Sequence, residues 1–341
     1  MGLESQATSS RPGRRQFLFM MGGVGGLAAL GTIPALRSRG FEKVERKSWA
    51  LGSDVSISAL HEDRRTAERA VDDAFAELER IEEVMSLYRP HSQLCVLNRA
   101  GVLENPDPSM VEVLLAARTM SERSGGAFDA TVQPLWQLYA EAKKAGGLPE
   151  PAAIEAAQRL VDWRRVEIGP DRIRLGGEGV AVTLNGIAQG YAADRVQAAL
   201  HARGVRNALV NTGEFGSLGR KADGTPWTVG IQHPRRPDAY LAIASLEGRF
   251  LSTSGDYATF FSDDFRHNHI FDPRTGLSPV EFSSVTVLAR TGMESDALTK
   301  VLFVLGLEKG LDFVRSTPGA DALCVLKDGR TASTSGFPRI A

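Results

Sequence analysis

Between residues 64 and 87 apolar side chains fall at Ala67, Ala70, Val71, Ala74, Phe75, Leu78, Ile81 and Met85. That three-and-four spacing predicts a helix with one face on a core. A short strand is predicted before it over 53–59, a second helix over 108–124 stopped by Gly125-Gly126, and a third in PEPAAIEAAQRL. From Val166 onward the pattern changes to short alternating runs at 166–168, 172–175, 180–184, 208–210, 228–231, 241–245 and 285–289, each read as a strand. Helices return over 190–201 and 294–304, so the order is irregular and does not repeat as βαβ units. This succession predicts an α+β fold. No internal repeat, low-complexity tract or interdomain linker stands out, and a single domain over 41–341 is expected, with 234–237 as an exposed loop.

The first 40 residues fit none of this periodicity. Arg14-Arg15-Gln16-Phe17-Leu18 leads into an apolar, glycine-rich stretch, the form of a twin-arginine export signal. Its glycines lower helix propensity and hydrophobicity below those of a permanent anchor. An uncleaved anchoring helix is the alternative, and Ile33-Pro34-Ala35 is a poor cleavage match.

The chain of 341 residues carries 40 basic and 41 acidic side chains, a formal charge of -1, so the overall balance does not point to nucleic acid or an anionic membrane. Cys95 and Cys324 sit between apolar residues and are expected as buried free thiols, with one disulfide left open. There is no CxxC or Cys/His cluster, which argues against structural zinc.

Chemistry concentrates in a few segments. NHIFDPRTG at 268–276 sets an imidazole before a turn. His269 can take a proton near neutral pH, while Asp272 and Arg274 either fix the turn or orient a charged ligand. LNGIAQGY at 184–191 couples a strand to a helix through small residues, leaving N–H groups or carbonyls for phosphate or a cation, or else making a close helix–strand contact. At 125–131, GGAFDAT places Asp129 after Phe128, an arrangement for a flat heterocycle or simply a helix stop with a buried ring. STSGDY at 252–257 supplies hydroxyls and a tight glycine turn. SDALTK at 295–300 opens a helix with Asp296, either a hard oxygen ligand for magnesium or, with Ser295, an N-cap.

In order, these segments resemble the ApbE-type FAD:protein FMN transferase family over nearly all of 50–306. The landmarks are Leu51-Gly52-Ser53, Met85-Ser86-Leu87-Tyr88 with Ser92 and Leu97-Asn98, GGAFDATVQPLW, LNGIAQGYAADR, LVNTGEFGSLG, WTVGIQHP, STSGDY, HNHIFDPRTG and SDALTKVLFVLG. The resemblance implies mixed, largely antiparallel sheets packed with helices. By matched position it implies FAD contacts at Leu51, Tyr88, Ala127, Phe128, Asp129, Thr183, Gln189 and Ile270. It also implies a magnesium site using the Gly186 carbonyl and Asp296, and His269 as the group that deprotonates the acceptor. The implied reaction is attack of a Thr or Ser hydroxyl on the FMN phosphorus of FAD, with AMP departing. The implied acceptors are membrane-associated respiratory flavoproteins.

Two positions depart from the family pattern. Thr183 stands where Asp is common, and Lys300 stands where the metal-binding helix commonly supplies Thr. Thr299 is turned about 100° away on an ideal helix. Lys300 either sets an ammonium near the pyrophosphate or weakens the metal site. A periplasmic FAD-binding carrier with little turnover is therefore a second reading, distinguished by the absence of AMP and of flavin-labelled acceptor. A flavin oxidoreductase is less favoured, because there is no nicotinamide fingerprint or redox cysteine pair.

Overall fold

The structure is a computed structural model and describes residues 40–340. The segment read as an export signal, with Arg14 and Arg15, lies outside the described residues.

An antiparallel hairpin of β1 (Glu42–Ala50) and β2 (Ser53–His61) opens the chain, followed by the long helix α1 (Arg64–Met85). Asp63 caps α1 by accepting from the N–H groups of Arg65 and Thr66, and the predicted apolar stripe is buried. Next come α2 (Gln93–Ala100), β3 (Val102–Glu104), α3 (Pro108–Arg123), α4 (Gln133–Lys144), α5 (Pro151–Gln158), β4 (Val166–Ile168) and β5 (Arg172–Leu175). The second half runs α6 (Ala188–Ala202), β6 (Asn207–Asn211), β7 (Phe215–Leu218), β8 (Thr228–His233), β9 (Arg236–Ser245), β10 (Phe250–Gly255), β11 (Phe282–Ala289), α7 (Gly292–Leu305), α8 (Leu307–Arg315), β12 (Asp321–Leu326) and β13 (Thr331–Ser333).

Eight strands form one sheet in the order β1-β2-β6-β7-β10-β11-β12-β13, and two small sheets hold β3-β5-β4 and β8-β9. All paired strands are antiparallel, so the fold is α+β as expected. β11 is buried at every position, and period-two alternation divides its side chains between two cores. Val285, Val287 and Ala289 join the main core with α1, α6 and α7. Leu288 joins Leu251, Leu323, Val229 and Ile231 beneath the β8–β9 hairpin. A third cluster, Leu135, Tyr139, Phe261 and Phe271, ties α4 to the loop between β10 and β11, with the Tyr139 ring 5.2 Å from Phe261 and 5.1 Å from Phe271. That loop carries His269.

Several local readings need correction. Residues 180–184 form no strand, because the Asn98 amide takes the place of a neighbouring strand. Asn98 Oδ1 accepts from Val182 N at 2.7 Å, its Nδ2 donates to Val182 O at 2.7 Å, and Thr183 N donates to Ala130 O at 2.8 Å. Gly255 ends β10 rather than making a tight turn; a Cβ there would meet the Tyr257 ring at 2.2 Å. The expected loop at 234–237 shrinks to a turn of Pro234 and Arg235 before β9 resumes. Cys95 and Cys324 are both free, which removes the disulfide; Cys324 is buried, which pushes its thiol up to about 12, whereas Cys95 is only half-buried, contrary to expectation.

Candidate active site

The loop between β10 and β11 is held by a buried carboxylate at its start. Asp256 accepts two bonds from Arg235 at 2.7 Å each and one from Lys327 at 2.5 Å. Further along, Asn268 Oδ1 accepts from Ile270 N at 3.0 Å, so Ile270 is fixed and buried. Asp272 accepts from the N–H and guanidinium of Arg274, which makes this pair the fastening of the turn. Between them, His269 Nδ1 lies 3.1 Å from the Thr259 carbonyl oxygen. A carbonyl only accepts, so the imidazole proton sits on Nδ1 and the lone pair on Nε2. Burial, with a smaller push from the Lys300 charge, lowers His269 to about 4, so the ring is neutral at physiological pH.

The turn leading into α6 carries the next group of candidate residues. Thr183 Oγ1 accepts from Asn185 N at 3.3 Å and shapes this turn. Gly186 faces Phe128 and Lys300: a Cβ built on it would lie 3.4 Å from Phe128 Cε2 and 3.5 Å from Lys300 Cε. Ala127 and Phe128 are buried. Asp129 is committed to its own chain, with Oδ1 accepting from Thr131 N at 2.8 Å and Oδ2 from Trp163 N at 3.0 Å. Its carboxyl is raised by burial, against the pull of those bonds. Asp129 thus fastens the segment after α3 to Trp163, and its edge opens on a depression of about 360 Å³ shared with Gly125, Gly126, Trp163 and Arg274.

On α7 the first turn is capped twice. Thr291 Oγ1 accepts from Glu294 N at 3.1 Å, and Asp194 of α6 accepts from Gly292 N at 2.7 Å and Met293 N at 2.9 Å. The N-cap alternative for Ser295 or Asp296 is therefore wrong: Ser295 Oγ turns to Ser252 Oγ at 2.7 Å, and Asp296 is a fully buried residue one turn into the helix. Asp296 Oδ2 accepts from Gly190 N at 3.1 Å, and Oδ1 is bonded by the Lys300 ammonium. Gly190 N is consequently not free for a phosphate. Glu214, in the tight link from β6 to β7, is buried beside this pair and accepts from Thr253 N at 3.3 Å. Burial first, and the Asp296 charge next, raise its carboxyl well above the ordinary range despite Lys300.

Leu51 and Gly52 form the hairpin turn of β1 and β2 with φ of 52° and 76°, the two left-handed positions of a type I′ turn. For Leu this conformation is strained, and it is held by a bond from Leu51 N to Glu82 Oε1 at 2.8 Å. Gln189 Nε2 donates to Leu51 O at 3.3 Å, which joins this turn to α6. Tyr88 is 64% exposed against Gly52, on the wall of a cleft of about 500 Å³ lined also by Asn98, Gln133, Trp136 and Asn185. Asn98 is taken up by Val182, which leaves the Tyr88 and Trp136 rings with the Gln133 and Asn185 amides as a lining suited to a flat polar heterocycle.

The implied magnesium does not fit these residues as folded. Among the described residues no group of three or more His, Cys, Asp and Glu side chains is placed to hold a metal. Asp296 Oδ1 already carries an ammonium. A divalent ion about 4 Å from it would meet repulsion of about 8 kcal/mol at an effective dielectric near 20, enough to cancel what one carboxylate at the same distance would contribute. Thr299 does not stand in as a ligand: the residue is fully buried, and its hydroxyl is turned to Asp296 O and Ser254 Oγ, each at 2.7 Å.

The family model of the ApbE family matches residues 51–324. The chain belongs to the ApbE family. The FAD:protein FMN transferase of Treponema pallidum (strain Nichols) is 32% identical over 289 residues, covering 79% of this chain and 80% of its own. That of Salmonella typhimurium (strain LT2) is 30% identical over 303 residues, covering 85% and 86%. Among solved structures, the ApbE protein of Thermotoga maritima superposes with a TM-score of 0.76 at 28% identity, covering 86% of this chain and 97% of that one. The apo flavinyl transferase ApbE of Pseudomonas stutzeri gives 0.74 at 30% identity, covering 86% and 95%.

For this ApbE chain the position-matched residues divide into three places. Phe128, Gly186, Lys300 and Asp296 lie together, with His269 close enough to feel the Lys300 charge; Leu51, Tyr88 and Gln189 gather at the β1–β2 turn; and Ala127, Asp129, Thr183 and Ile270 belong to buried or hydrogen-bonded stretches of backbone. Glu214 and Asp194 had no role read from sequence. The available signal for each was a carboxylate set among small and apolar residues.

Proposed function

We propose that this ApbE chain is an FAD:protein FMN transferase that moves FMN from FAD onto a Thr or Ser hydroxyl of another protein through a phosphoester bond, releasing AMP. The observation that carries the reading is the neutral His269, with its lone pair on Nε2, within reach of the Lys300 charge on α7. Nε2 accepts the acceptor's hydroxyl proton as the oxygen attacks phosphorus, and the Thr259 carbonyl holds the ring in the tautomer that allows this. The Tyr88 cleft takes a flat ring system of the donor. Catalysis is then largely positioning and electrostatics. The resemblance implies magnesium as well, but with its donor set occupied no step is assigned to it.

The acceptor is proposed to be a membrane-associated respiratory flavoprotein, and the twin-arginine segment supports export to the periplasm, with membrane attachment if that segment is retained. To test the reaction, purified protein is incubated with FAD and flavin-acceptor domains. A covalently fluorescent acceptor band and stoichiometric AMP are expected, both lost in His269→Gln while FAD still binds. FAD binding with neither product across several acceptors would leave the carrier reading instead.

A further inference from the structure

We propose that the Lys300 ammonium is a built-in cation that contacts the donor's pyrophosphate in the place of a divalent metal, so that this chain works without one. The inference rests on the transferase reading above for its substrate, and on the geometry of α7 for its cation.

Lys300 lies one turn after Asp296. Its Nζ bonds Asp296 Oδ1 and approaches Asp296 O at 3.2 Å. An ammonium has three N–H donors, so one is left for a ligand. Its stem runs past Gly186 and Phe128, and the side chain is 20% exposed while that of Asp296 is fully buried. The charge therefore stands between a buried carboxylate and the open side of the site. It is also felt at His269, the group assigned to take the acceptor's proton. Both carboxylate oxygens of Asp296 have partners within the chain, Lys300 and Gly190 N. The anchor that would hold a divalent ion is thus used to hold an ammonium.

The two arrangements differ in charge. A divalent ion on one carboxylate leaves a net positive charge, whereas an ammonium on it leaves none. What Lys300 offers is a fixed, charge-assisted hydrogen bond. In the step it serves, the hydroxyl oxygen forms a bond to the FMN phosphorus as the bond from phosphorus to the AMP oxygen breaks. The proton passes to His269 Nε2 and then to solvent, and the AMP phosphate leaves with the electron pair. No oxidant or reductant is involved.

The test uses the full chain stripped with EDTA. In EDTA, Lys300→Met is expected to weaken FAD and ADP binding about tenfold by calorimetry and to leave riboflavin, which has no phosphate, within about twofold. Unchanged FAD and ADP affinity overturns the proposal whatever happens to transfer. In the transfer assay the natural chain should run at similar rates in EDTA and in magnesium, Lys300→Met should fall about 100-fold in both, and Lys300→Arg should remain insensitive to EDTA. Lys300→Thr, which returns a hydroxyl to α7, should become dependent on magnesium and serves in the binding arm if Lys300→Met does not fold. A natural chain that stops in EDTA and recovers with magnesium overturns the proposal. If no protein transfers under any condition, the transferase reading fails while the binding arm still decides the role of Lys300.

Discussion

Gly190 and Gly292 bring α6 and α7 together backbone to backbone: a Cβ built on Gly190 would lie 2.1 Å from the Gly292 carbonyl oxygen. This contact lets Gly190 N reach Asp296 and Asp194 reach the first N–H groups of α7. Gly190→Ala forces the helices apart against backbone, which cannot yield as a side chain does. A loss of about 3 kcal/mol, at the upper end for overpacking, is expected in urea unfolding, together with lost activity.

His269 sets a pH dependence of known sign. Its folded value of about 4 lies below the ordinary 6.5, and the neutral form is the base. The pH profile of kcat/KM should therefore stay level from pH 8 through 6.5 and fall only on approach to about 4. Stability follows the same linkage. The unfolded chain takes up the proton first, so this contribution is complete above 6.5 and is lost as pH falls toward 4. His269→Gln should flatten that part of a urea-midpoint series.

Tyr88 separates binding from folding. Its ring is 64% exposed, so Tyr88→Ala should change stability by less than about 0.5 kcal/mol. Flavin affinity should fall about tenfold through lost ring contact, as measured by fluorescence titration.

Asp256→Ala removes the shared partner of Arg235 and Lys327. Both cations are partly exposed and regain water, so the cost should be about 3 kcal/mol, at the low end for breaking a buried pair. Because Asp256 anchors the loop of His269, kcat should fall more than FAD affinity.

The amphipathic α1, the Gly125-Gly126 stop and β11 were legible because each has a period or a breaker that acts locally. Residues 180–184 were misread for the opposite reason. An alternating run is compatible with a strand, but a ladder needs a neighbour, and here the neighbour is the side chain of Asn98. β1, β7, β10, β12 and the helices α2, α4 and α8 were not read, since their patterns are short or mixed and burial comes from partners distant in the chain.

For the site, ordered motifs alone singled out the candidate segments, including the positions of His269, Asp296 and the unusual Lys300. Their chemistry was left to the tertiary structure. The tautomer of His269 depends on the Thr259 carbonyl, the occupation of Asp296 on Lys300 and Gly190, and the neutral tendency of Glu214 on its burial beside Asp296. Charge and proton affinity are set by what lies within a few ångströms in space, and the chain supplies those neighbours from segments far apart in sequence.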